Sequence, residues 1–209
     1  YGLISLIAGL SLVISESIGV VEAIEHYLNM SLKSTPEMPK IPNEMFPHVD
    51  VLIATHNEDE KLLYKTINGC TYMRYPDKSK VHIYVCDDNN RPEIAKLAQR
   101  LGVGYFGLAE NKFAKAGNLN NALRQTNSPL VATFDADMIP TSEFLLETVP
   151  YFFLSQYEKD ESGMWIRRSE ENNKEKIGFI QTPQSFYNPD LFQYNLYSEK
   201  NIPNEQDYF

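Results

Sequence analysis

Short apolar runs alternate with helical patterns from residue 49 onward, and this alternation constrains the fold more than any other feature of the sequence. The apolar runs are rich in β-branched and aromatic residues and span residues 49–55, 81–87, 103–108, 130–136 and 177–182. Helical patterns lie between or after them, at residues 59–73, 91–102, 115–125 and 141–153. Strands that alternate with helices predict βαβ units, and continuously apolar strands are typical of a sheet covered on both faces. The sequence therefore predicts an α/β fold with a mostly parallel sheet and flanking helices.

Three segments outside this alternation differ from it in composition. Residues 1–30 are mostly apolar and long enough to cross a membrane, which predicts a transmembrane helix. The carboxylate of Glu16 leaves an amphipathic or core helix as the alternative. Residues 31–47 carry four prolines, which favour an extended connector, and residues 155–176 are so rich in charge that they predict a solvated, partly disordered insertion. We therefore expect a hydrophobic helix, a connector, and one α/β domain over residues 48–209.

The charges and cysteines narrow the class of protein further. With 28 acidic and 19 basic residues the net charge is −9, and the sequence has no stripe of Lys and Arg. A protein that binds nucleic acid needs such a stripe to neutralise phosphates, so we expect no nucleic-acid partner. Cys70 and Cys86 have neither metal-site spacing nor a disulfide framework, and we expect both to be reduced and buried.

Polar residues cluster where three of the predicted strands end. They are Thr55, Asn57 and Glu58 after the first strand, Asp87 and Asp88 after the second, and Asp135 and Asp137 after the fourth. Each group alone has an ordinary explanation, as a helix cap, an Asx turn or a surface turn. Because the carboxyl ends of parallel strands meet at one edge of a sheet, where ligands bind, the three groups together predict a ligand site.

The carboxylates of Asp135 and Asp137 suit a nucleotide diphosphate with a divalent metal. Mg²⁺ and Mn²⁺ prefer oxygen ligands and take one or two carboxylates, leaving other positions for phosphate and water. If the strand continues through Ala136, only one of the two carboxylates reaches the metal; if the chain turns there, the other can bind a ribose hydroxyl. Lys115 opens a helix in the sequence Lys-Ala-Gly-Asn, and it either meets the diphosphate or is a solvated helix residue.

Five motifs occur in the order seen in a known enzyme family. They are VDVLIATHNED, VCDDN, NKFAKAGNLNNAL, FDADMIP and IGFIQTPQSFYNPD, all within residues 48–209. In this order they resemble the cellulose synthase-like members of the inverting, nucleotide-sugar-dependent glycosyltransferases of family 2. The resemblance implies a glycosyltransferase-A fold, a UDP-sugar donor, Mg²⁺ or Mn²⁺, and a polysaccharide acceptor. It also implies a multi-pass parent protein in the cell membrane with a cytosolic catalytic domain, and leaves open a homo-oligomer or a larger synthase complex.

The same resemblance implies roles for individual residues. Those that bind the UDP-sugar would be Thr55, Asn57, Glu58, Asp87, Asp88, Lys115, Asp135 and Asp137. Within this set Asp87 or Asp88 would hold the uracil or ribose, Lys115 would meet the diphosphate, and Asp137, then Asp135, would bind the metal. The acceptor side would be formed by Gln181, Thr182, Pro183, Phe186, Asn188 and Asp190.

The sequence also departs from the family pattern. His56, Asn89 and Gln184 stand where related sequences commonly have Tyr, Gly and His, which leaves the identity of the sugar and the acceptor open. The Thr-Glu-Asp motif that carries the family's general base, and its Gln-x-x-Arg-Trp motif, do not occur before Phe209. We therefore expect a piece of a longer protein, with the catalytic base beyond Phe209 and no sugar transfer by this chain alone.

The reaction that the resemblance implies is a single inverting displacement at the anomeric carbon of a UDP-sugar. UDP-glucose is the expected donor and a β-glucan or capsular polysaccharide the expected product. A chitin- or hyaluronan-type synthase that uses a UDP-N-acetylhexosamine is one alternative, and a non-catalytic nucleotide-binding domain at the membrane is another. A nucleotidyltransferase is disfavoured because its phosphate loop would be rich in glycine, and ATHNED after the first strand contains none.

Overall fold

The computed structural model describes residues 2–31, 36–110 and 113–185 and divides into two compact units, Tyr1–Glu37 and Met38–Phe209. The first unit contains one helix, α1 (Leu3–Ser31), whose described side chains are exposed along its whole length. Its segment Leu3–Asn29 is the one helical stretch in the described residues that is long and apolar enough to cross a membrane. The predicted apolar helix at the N-terminus is therefore present.

The second unit contains the predicted alternation of strands and helices. Its elements are β1 (Val49–Thr55), α2 (Glu60–Tyr72), β2 (Val81–Asp87), α3 (Pro92–Arg100), β3 (Gly104–Gly107), α4 (Ala114–Leu123), β4 (Leu130–Asp135), α5 (Phe144–Thr148), β5 (Tyr157–Lys159) and β6 (Trp165–Arg167). Short 3₁₀ helices occur at Asn43–Met45, Lys78–Lys80, Val149–Gln156 and Asn173–Glu175. The first four strands agree with their predicted positions to within one residue at either end.

The strands β1 to β4 form one parallel sheet in the order β3-β2-β1-β4. β1 lies inside the sheet, with Val49 opposite Val81 of β2 on one side and opposite Leu130 of β4 on the other. The chain adds β2 and β3 on one side of β1 and then returns to place β4 on the other side. The strand order therefore reverses between β1 and β4, and ligands of such sheets bind outside the carboxyl ends of the strands at this point.

Helices cover both faces of this sheet. All seven residues of β1 are buried, and their side chains alternate between the two faces. Val51 and Ile53 belong to the main core, together with Leu63 of α2 and residues of α3. Leu52 points the other way and packs in a smaller cluster with Ala122 of α4. The prediction of strands buried on both faces is therefore confirmed for β1.

The two cysteines lie in these cores. Cys70 and Cys86 are free and buried, as the sequence predicts. Burial raises the pKa of each thiol to about 12 because the thiolate would lose its hydration.

Three sequence predictions differ from the structure. Residues 177–182 do not form a strand: they are irregular, they pair with no described strand, and Phe179 is 80% exposed. The single helix expected over residues 141–153 is divided, since Pro150 has no N–H to continue the α-helical bonding and a 3₁₀ helix follows α5. Residues 155–176 contain the antiparallel hairpin β5–β6 rather than a partly disordered segment.

Candidate functional site

A cleft of about 780 Å³ opens at the carboxyl ends of the strands, where the strand order reverses. Its volume is typical of sites that bind small molecules. Six of the eight predicted donor-binding residues line it, namely Thr55, Glu58, Asp88, Lys115, Asp135 and Asp137. The other two, Asn57 and Asp87, are not among the described residues that line it.

The carboxylate of Glu58 stabilises the loop that follows β1 by accepting two hydrogen bonds. Its Oε2 accepts hydrogen bonds from the Thr55 hydroxyl at 2.7 Å and from the backbone N–H of His56 at 2.6 Å. Burial raises the pKa of this carboxyl, but these hydrogen bonds and the charge of Arg91 together outweigh burial and leave the pKa below its ordinary value. Glu58 is therefore a carboxylate at neutral pH, on the wall of the cleft.

Asn57 takes part in the same loop without reaching the cleft. Its Oδ1 accepts a hydrogen bond from Nδ2 of Asn89 at 2.6 Å, and the same Nδ2 lies 3.1 Å from the carbonyl oxygen of His56. Asn89 itself lines the cleft. Asn57 therefore links the loop after β1 to the loop after β2.

Asp87 is fully buried, and its carboxylate oxygens accept hydrogen bonds from other residues of the protein. Oδ2 accepts hydrogen bonds from the N–H of Arg91 at 2.7 Å and from the Tyr105 hydroxyl at 2.9 Å, while Nε of Arg91 lies 3.1 Å from Oδ1. Burial, and next the carboxylate of Asp87, raise the pKa of Tyr105, so its hydroxyl stays protonated and donates. The prediction left open whether Asp87 or Asp88 holds a nucleoside, and this burial leaves Asp88 as the candidate.

Arg91 connects the ends of β1 and β2. Besides Asp87, its guanidinium donates to the Thr55 hydroxyl through Nη2 at 2.8 Å and to the carbonyl of Glu58 through Nη1 at 2.9 Å. These contacts satisfy the buried carboxylate of Asp87 and fix the position of Thr55. Sequence reasoning did not identify Arg91, although it lies four residues after Asp87 and immediately before the proline that opens α3.

Asp88 has a partner that the family pattern does not lead one to expect. Its Oδ1 lies 2.5 Å from Nδ1 of His56, and the two side chains are 9% and 61% exposed. The backbone N–H of Asp88 also donates to the carbonyl of Thr55 at 3.2 Å. His56 thus contacts one of the candidate nucleoside-binding residues at the wall of the cleft.

The acidic pair lies on a turn that we call the acidic turn, residues 135–138. β4 ends at Asp135, and the N–H of Met138 donates to the carbonyl of Asp135 at 3.1 Å to close the turn. Asp135 and Asp137 consequently both line the cleft. Of the two arrangements that the sequence leaves open, the structure has the one in which the chain turns at Ala136.

Lys115 forms an ion pair with Asp135 across the cleft. Ala114 and Lys115 are the first two residues of α4, and both line the cleft, so the start of this helix lies beside the acidic turn. A helix N-terminus and a lysine together favour the binding of an anion such as a diphosphate. Without an anion, the ammonium of Lys115 neutralises Asp135.

Asn118, on the next turn of α4, was named in a motif but assigned no role from sequence. It is 1% exposed, lines the cleft, and donates from Nδ2 to the carbonyl of Cys86 at 2.6 Å. Its Oδ1 is the one buried side-chain polar atom without a hydrogen-bond partner among the described residues. An unpaired buried acceptor costs free energy, so this atom suits a donor group that a ligand or water would supply.

The donor set of the cleft fits a metal held jointly with a phosphate. No group of three or more His, Cys, Asp or Glu side chains in the described ranges could hold a metal ion without other ligands. Asp137 is exposed and has no hydrogen-bond or ion-pair partner in the described part of the chain, and Asp135 has only Lys115. Two carboxylates with free oxygens could hold Mg²⁺ or Mn²⁺ together with phosphate oxygens and water, which is the usual way these ions bind with nucleotides.

The described residues of the predicted acceptor segment do not line the cleft. Gln181, Thr182 and Pro183 are irregular in structure and do not line the cleft. Phe186, Asn188 and Asp190 fall outside the described residues. The acceptor side of the site therefore remains a prediction from sequence.

Comparison with solved structures agrees with the fold. A mannosyltransferase from Pyrobaculum calidifontis, solved in complex with GDP-Man and Mn²⁺, superposes with a TM-score of 0.50 at 20% identity. The superposition covers 64% of this chain and 40% of that one. At this identity the likeness concerns the fold alone, which is the predicted glycosyltransferase-A fold.

Sequence comparison gives closer relatives. The chain is 34% identical over 203 residues to a cellulose synthase catalytic subunit (UDP-forming) of Pseudomonas fluorescens, which covers 96% of this chain and 25% of that protein. It is 35% identical over 164 residues to cellulose synthase 2 of Novacetimonas hansenii, covering 78% of this chain and 9% of that protein. The chain thus spans a quarter or less of the length of these two relatives. The profile of the family Glycosyl transferase family 2 matches residues 50–204, and the chain therefore belongs to that family.

Proposed function

We propose that this chain is the donor-binding part of an inverting glycosyltransferase that transfers a sugar from a UDP-sugar to a growing polysaccharide at a membrane. Glucose is the proposed sugar and a β-glucan the proposed product. The observation that carries the proposal is the cleft, in which the acidic turn after β4 and the lysine at the start of α4 border one space. Similarity to cellulose synthases, one of them named as UDP-forming, supports the choice of UDP and of a glucan.

Each wall of the cleft has a part in holding the donor. Asp88 and Glu58 lie on the side of β1 and β2, and their carboxylates can accept hydrogen bonds from the uracil N–H or ribose hydroxyls. Lys115 and the N–H groups at the start of α4 can bind the diphosphate. Asn118 offers a buried acceptor close to the same helix start. These groups would orient the donor so that its anomeric carbon faces the acceptor.

Asp137, together with Asp135, would hold Mg²⁺ or Mn²⁺, which when bound neutralises negative charge on the diphosphate leaving group. Lys115 supplies a second positive charge on the same group, once diphosphate replaces Asp135 as its partner. Stabilising the leaving group in this way favours direct displacement, because the negative charge on UDP increases as the glycosidic bond breaks. The base that takes the acceptor's proton is proposed to lie in a segment beyond Phe209.

We also propose that α1 spans a membrane and that the catalytic unit belongs to a multi-pass membrane protein. The helix is long and apolar enough to cross a bilayer, and all its described side chains are exposed, so lipid would cover them. A cytosolic position for the second unit is part of the proposal, since cytosolic UDP-sugar is then within reach of the cleft.

Calorimetry with UDP tests the donor-binding part. We expect the protein, purified in detergent, to bind UDP at least about tenfold more tightly with Mn²⁺ than with EDTA. Asp137→Asn should abolish this difference, because an amide replaces a metal-binding carboxylate. Glu93→Gln is the matched control, since Glu93 is an exposed carboxylate on α3 that does not line the cleft. Equal affinity with and without metal, or unchanged binding by Asp137→Asn, would contradict the metal assignment.

A transfer assay tests the sugar. Membranes that contain the full-length parent protein are supplied with UDP-glucose or UDP-N-acetylglucosamine, and the linkage of the product is analysed. We expect β-linked polymer from UDP-glucose. Polymer formed from UDP-N-acetylglucosamine instead would favour a chitin- or hyaluronan-type synthase, and UDP binding without transfer by the intact parent would favour a non-catalytic domain.

A further inference from the structure

The acidic turn is attached to α2 by a buried hydrogen bond. The hydroxyl of Thr66, in the middle of α2, donates to the carbonyl of Ala136 at 2.7 Å, across 70 positions of sequence. Thr66 is fully buried and Ala136 is 2% exposed, so water does not compete for this bond. Ala136 lies between Asp135 and Asp137, and this bond joins its carbonyl to α2.

Three further contacts join α2, or Arg74 just beyond its end, to the residues that follow the acidic turn. A Cβ atom placed on Gly69 would lie 2.9 Å from Cγ2 of Ile139, so glycine allows α2 to approach this segment closely. At the end of α2, the N–H of Arg74 donates to the carbonyl of Ser142 at 2.7 Å. The guanidinium of Arg74 also pairs with Glu143 at 2.8 Å. The face of α2 that carries Thr66 and Gly69 thus lies along the segment that begins with the acidic turn.

In the described part of the chain, the acidic turn is held by the packing of Ala136 in the main core and of Met138 against it, by the ion pair of Asp135 with Lys115, and by hydrogen bonds of its backbone. Its own closing bond joins Met138 to Asp135, and the hydrogen bond from Thr66 is the one described contact between its backbone and a side chain. Asp137 has no partner of its own among the described residues. The direction of its carboxylate therefore depends on how the peptide groups around Ala136 are oriented.

We propose that Thr66 is a positioning residue for the metal-binding carboxylates. Its hydroxyl holds the Ala136 carbonyl against α2, and the neighbouring carboxylates are thereby directed into the cleft in the arrangement that a metal–nucleotide complex requires. Thr66 does not line the cleft and touches no ligand. The inference rests on the proposed function, because it concerns the site at which UDP and a divalent metal would bind.

The test compares two variants of Thr66 that separate its hydroxyl from its methyl group. Thr66→Val keeps the shape and removes the hydroxyl, whereas Thr66→Ser keeps the hydroxyl and removes the methyl group. The measured quantity is the ratio of UDP affinities with Mn²⁺ and with EDTA, by calorimetry on the protein in detergent. A general loosening of the core would lower both affinities and leave this ratio unchanged.

We expect Thr66→Val to lose most of this ratio, because the loss of a group that supports a metal ligand typically lowers metal affinity about tenfold or more. Thr66→Ser should stay within about twofold of the original protein, because it keeps the hydrogen bond. Thr71→Val is the matched control: Thr71 lies on α2 as well, but its hydroxyl donates at 2.8 Å to Asn68 within the helix. The electron paramagnetic resonance spectrum of Mn²⁺ bound with UDP should change in Thr66→Val and not in the control.

The outcomes separate the inference from the function on which it rests. If the original protein shows no metal-dependent UDP binding, the proposed function fails and the role of Thr66 fails with it. If the original protein binds as expected and Thr66→Val keeps its ratio, or Thr66→Ser loses as much as Thr66→Val, only the positioning role is overturned. Thr66→Ala also lacks the hydroxyl and takes the place of Thr66→Val, with the same expected loss, if the valine variant does not fold.

Discussion

Replacing Arg91 with leucine removes the cation that neutralises the buried Asp87. In the structure the guanidinium contacts Asp87 at 3.1 Å, the Thr55 hydroxyl at 2.8 Å and the Glu58 carbonyl at 2.9 Å. Loss of one member of a buried ion pair costs about 3–5 kcal/mol, because the remaining charge stays in the core without compensation. Asp87 keeps hydrogen bonds from the Arg91 N–H and from Tyr105, so we expect the lower end of this range, about 3 kcal/mol.

Urea unfolding in a nonionic detergent measures this loss. The fluorescence of Trp165, the one tryptophan of the chain, and far-ultraviolet circular dichroism should give coincident transitions if unfolding is two-state. A loss of about 3 kcal/mol is a large part of the 5–15 kcal/mol that stabilises a typical domain. The urea concentration at the midpoint of unfolding should therefore decrease by a readily measured amount. UDP affinity should fall as well, because Thr55 and the loop around Glu58 lose their support.

Arg100→Leu is the matched control for this experiment. Arg100 lies on the same helix and pairs with Glu60 at 2.5 Å, but the two side chains are 65% and 44% exposed. An exposed pair of this kind contributes about 0–1 kcal/mol, and leucine and arginine have similar helix propensity. If Arg91→Leu and Arg100→Leu differ by less than about 1 kcal/mol, the reasoning about the buried charge is refuted. Adding Asp87→Asn to Arg91→Leu should recover about 1 kcal/mol or more, because no unpaired charge then remains.

Three more predictions follow from single interactions. Lys115→Met breaks the exposed ion pair with Asp135, so it should raise the affinity for Mn²⁺ in the absence of nucleotide by about two- to fivefold. The same variant should lower the affinity for UDP in the presence of Mn²⁺ by about tenfold. Both affinities are measured by calorimetry, and a fall in both would contradict this prediction. The lowered pKa of Glu58 adds stability that is fully present above the ordinary glutamate pKa of 4.5 and is lost as the pH falls through the lower folded-state pKa. The difference in free energy of unfolding between the original protein and Glu58→Gln should therefore decrease in urea titrations taken below pH 4.5. A difference that does not change with pH would refute this prediction. With thiol pKa values near 12 and full burial, Cys70 and Cys86 should react with a thiol reagent only after unfolding, and rapid labelling of the native protein would be the contrary result.

Much of the fold could be predicted because its causes are local in sequence. The uninterrupted apolar residues of β1 and the mixed patterns of α2 and α3 specify which segments must be buried on two faces and which on one. The prediction was wrong at residues 177–182, where an apolar run has no strand beside it in the described structure and stays irregular. An apolar run is therefore insufficient to make a strand, because a strand also requires backbone pairing with a neighbouring strand.

The site was predictable only in outline. Six of the eight predicted donor-binding residues line one cleft, since parallel strands place their carboxyl ends at the same edge of the sheet. Motif order could not separate Asp87 from Asp88, because one is satisfied within the core by Arg91 and Tyr105 and the other contacts His56 at the cleft wall. Adjacent residues of identical type carry no sequence signal for this difference, which depends on which side of the strand end each one faces.

The sequence by itself determined the α/β class, the apolar first helix, the family and the edge of the sheet that carries the site. These follow from the periodicity of apolar residues and from short motifs, whose physical effects act within a few residues. Only the tertiary structure decided that the chain turns at Ala136, that Thr66 bonds to this turn from 70 positions away, and that one oxygen of Asn118 has no hydrogen-bond partner among the described residues. Such features depend on contacts between segments that the chain brings together only when it folds, so no local pattern records them.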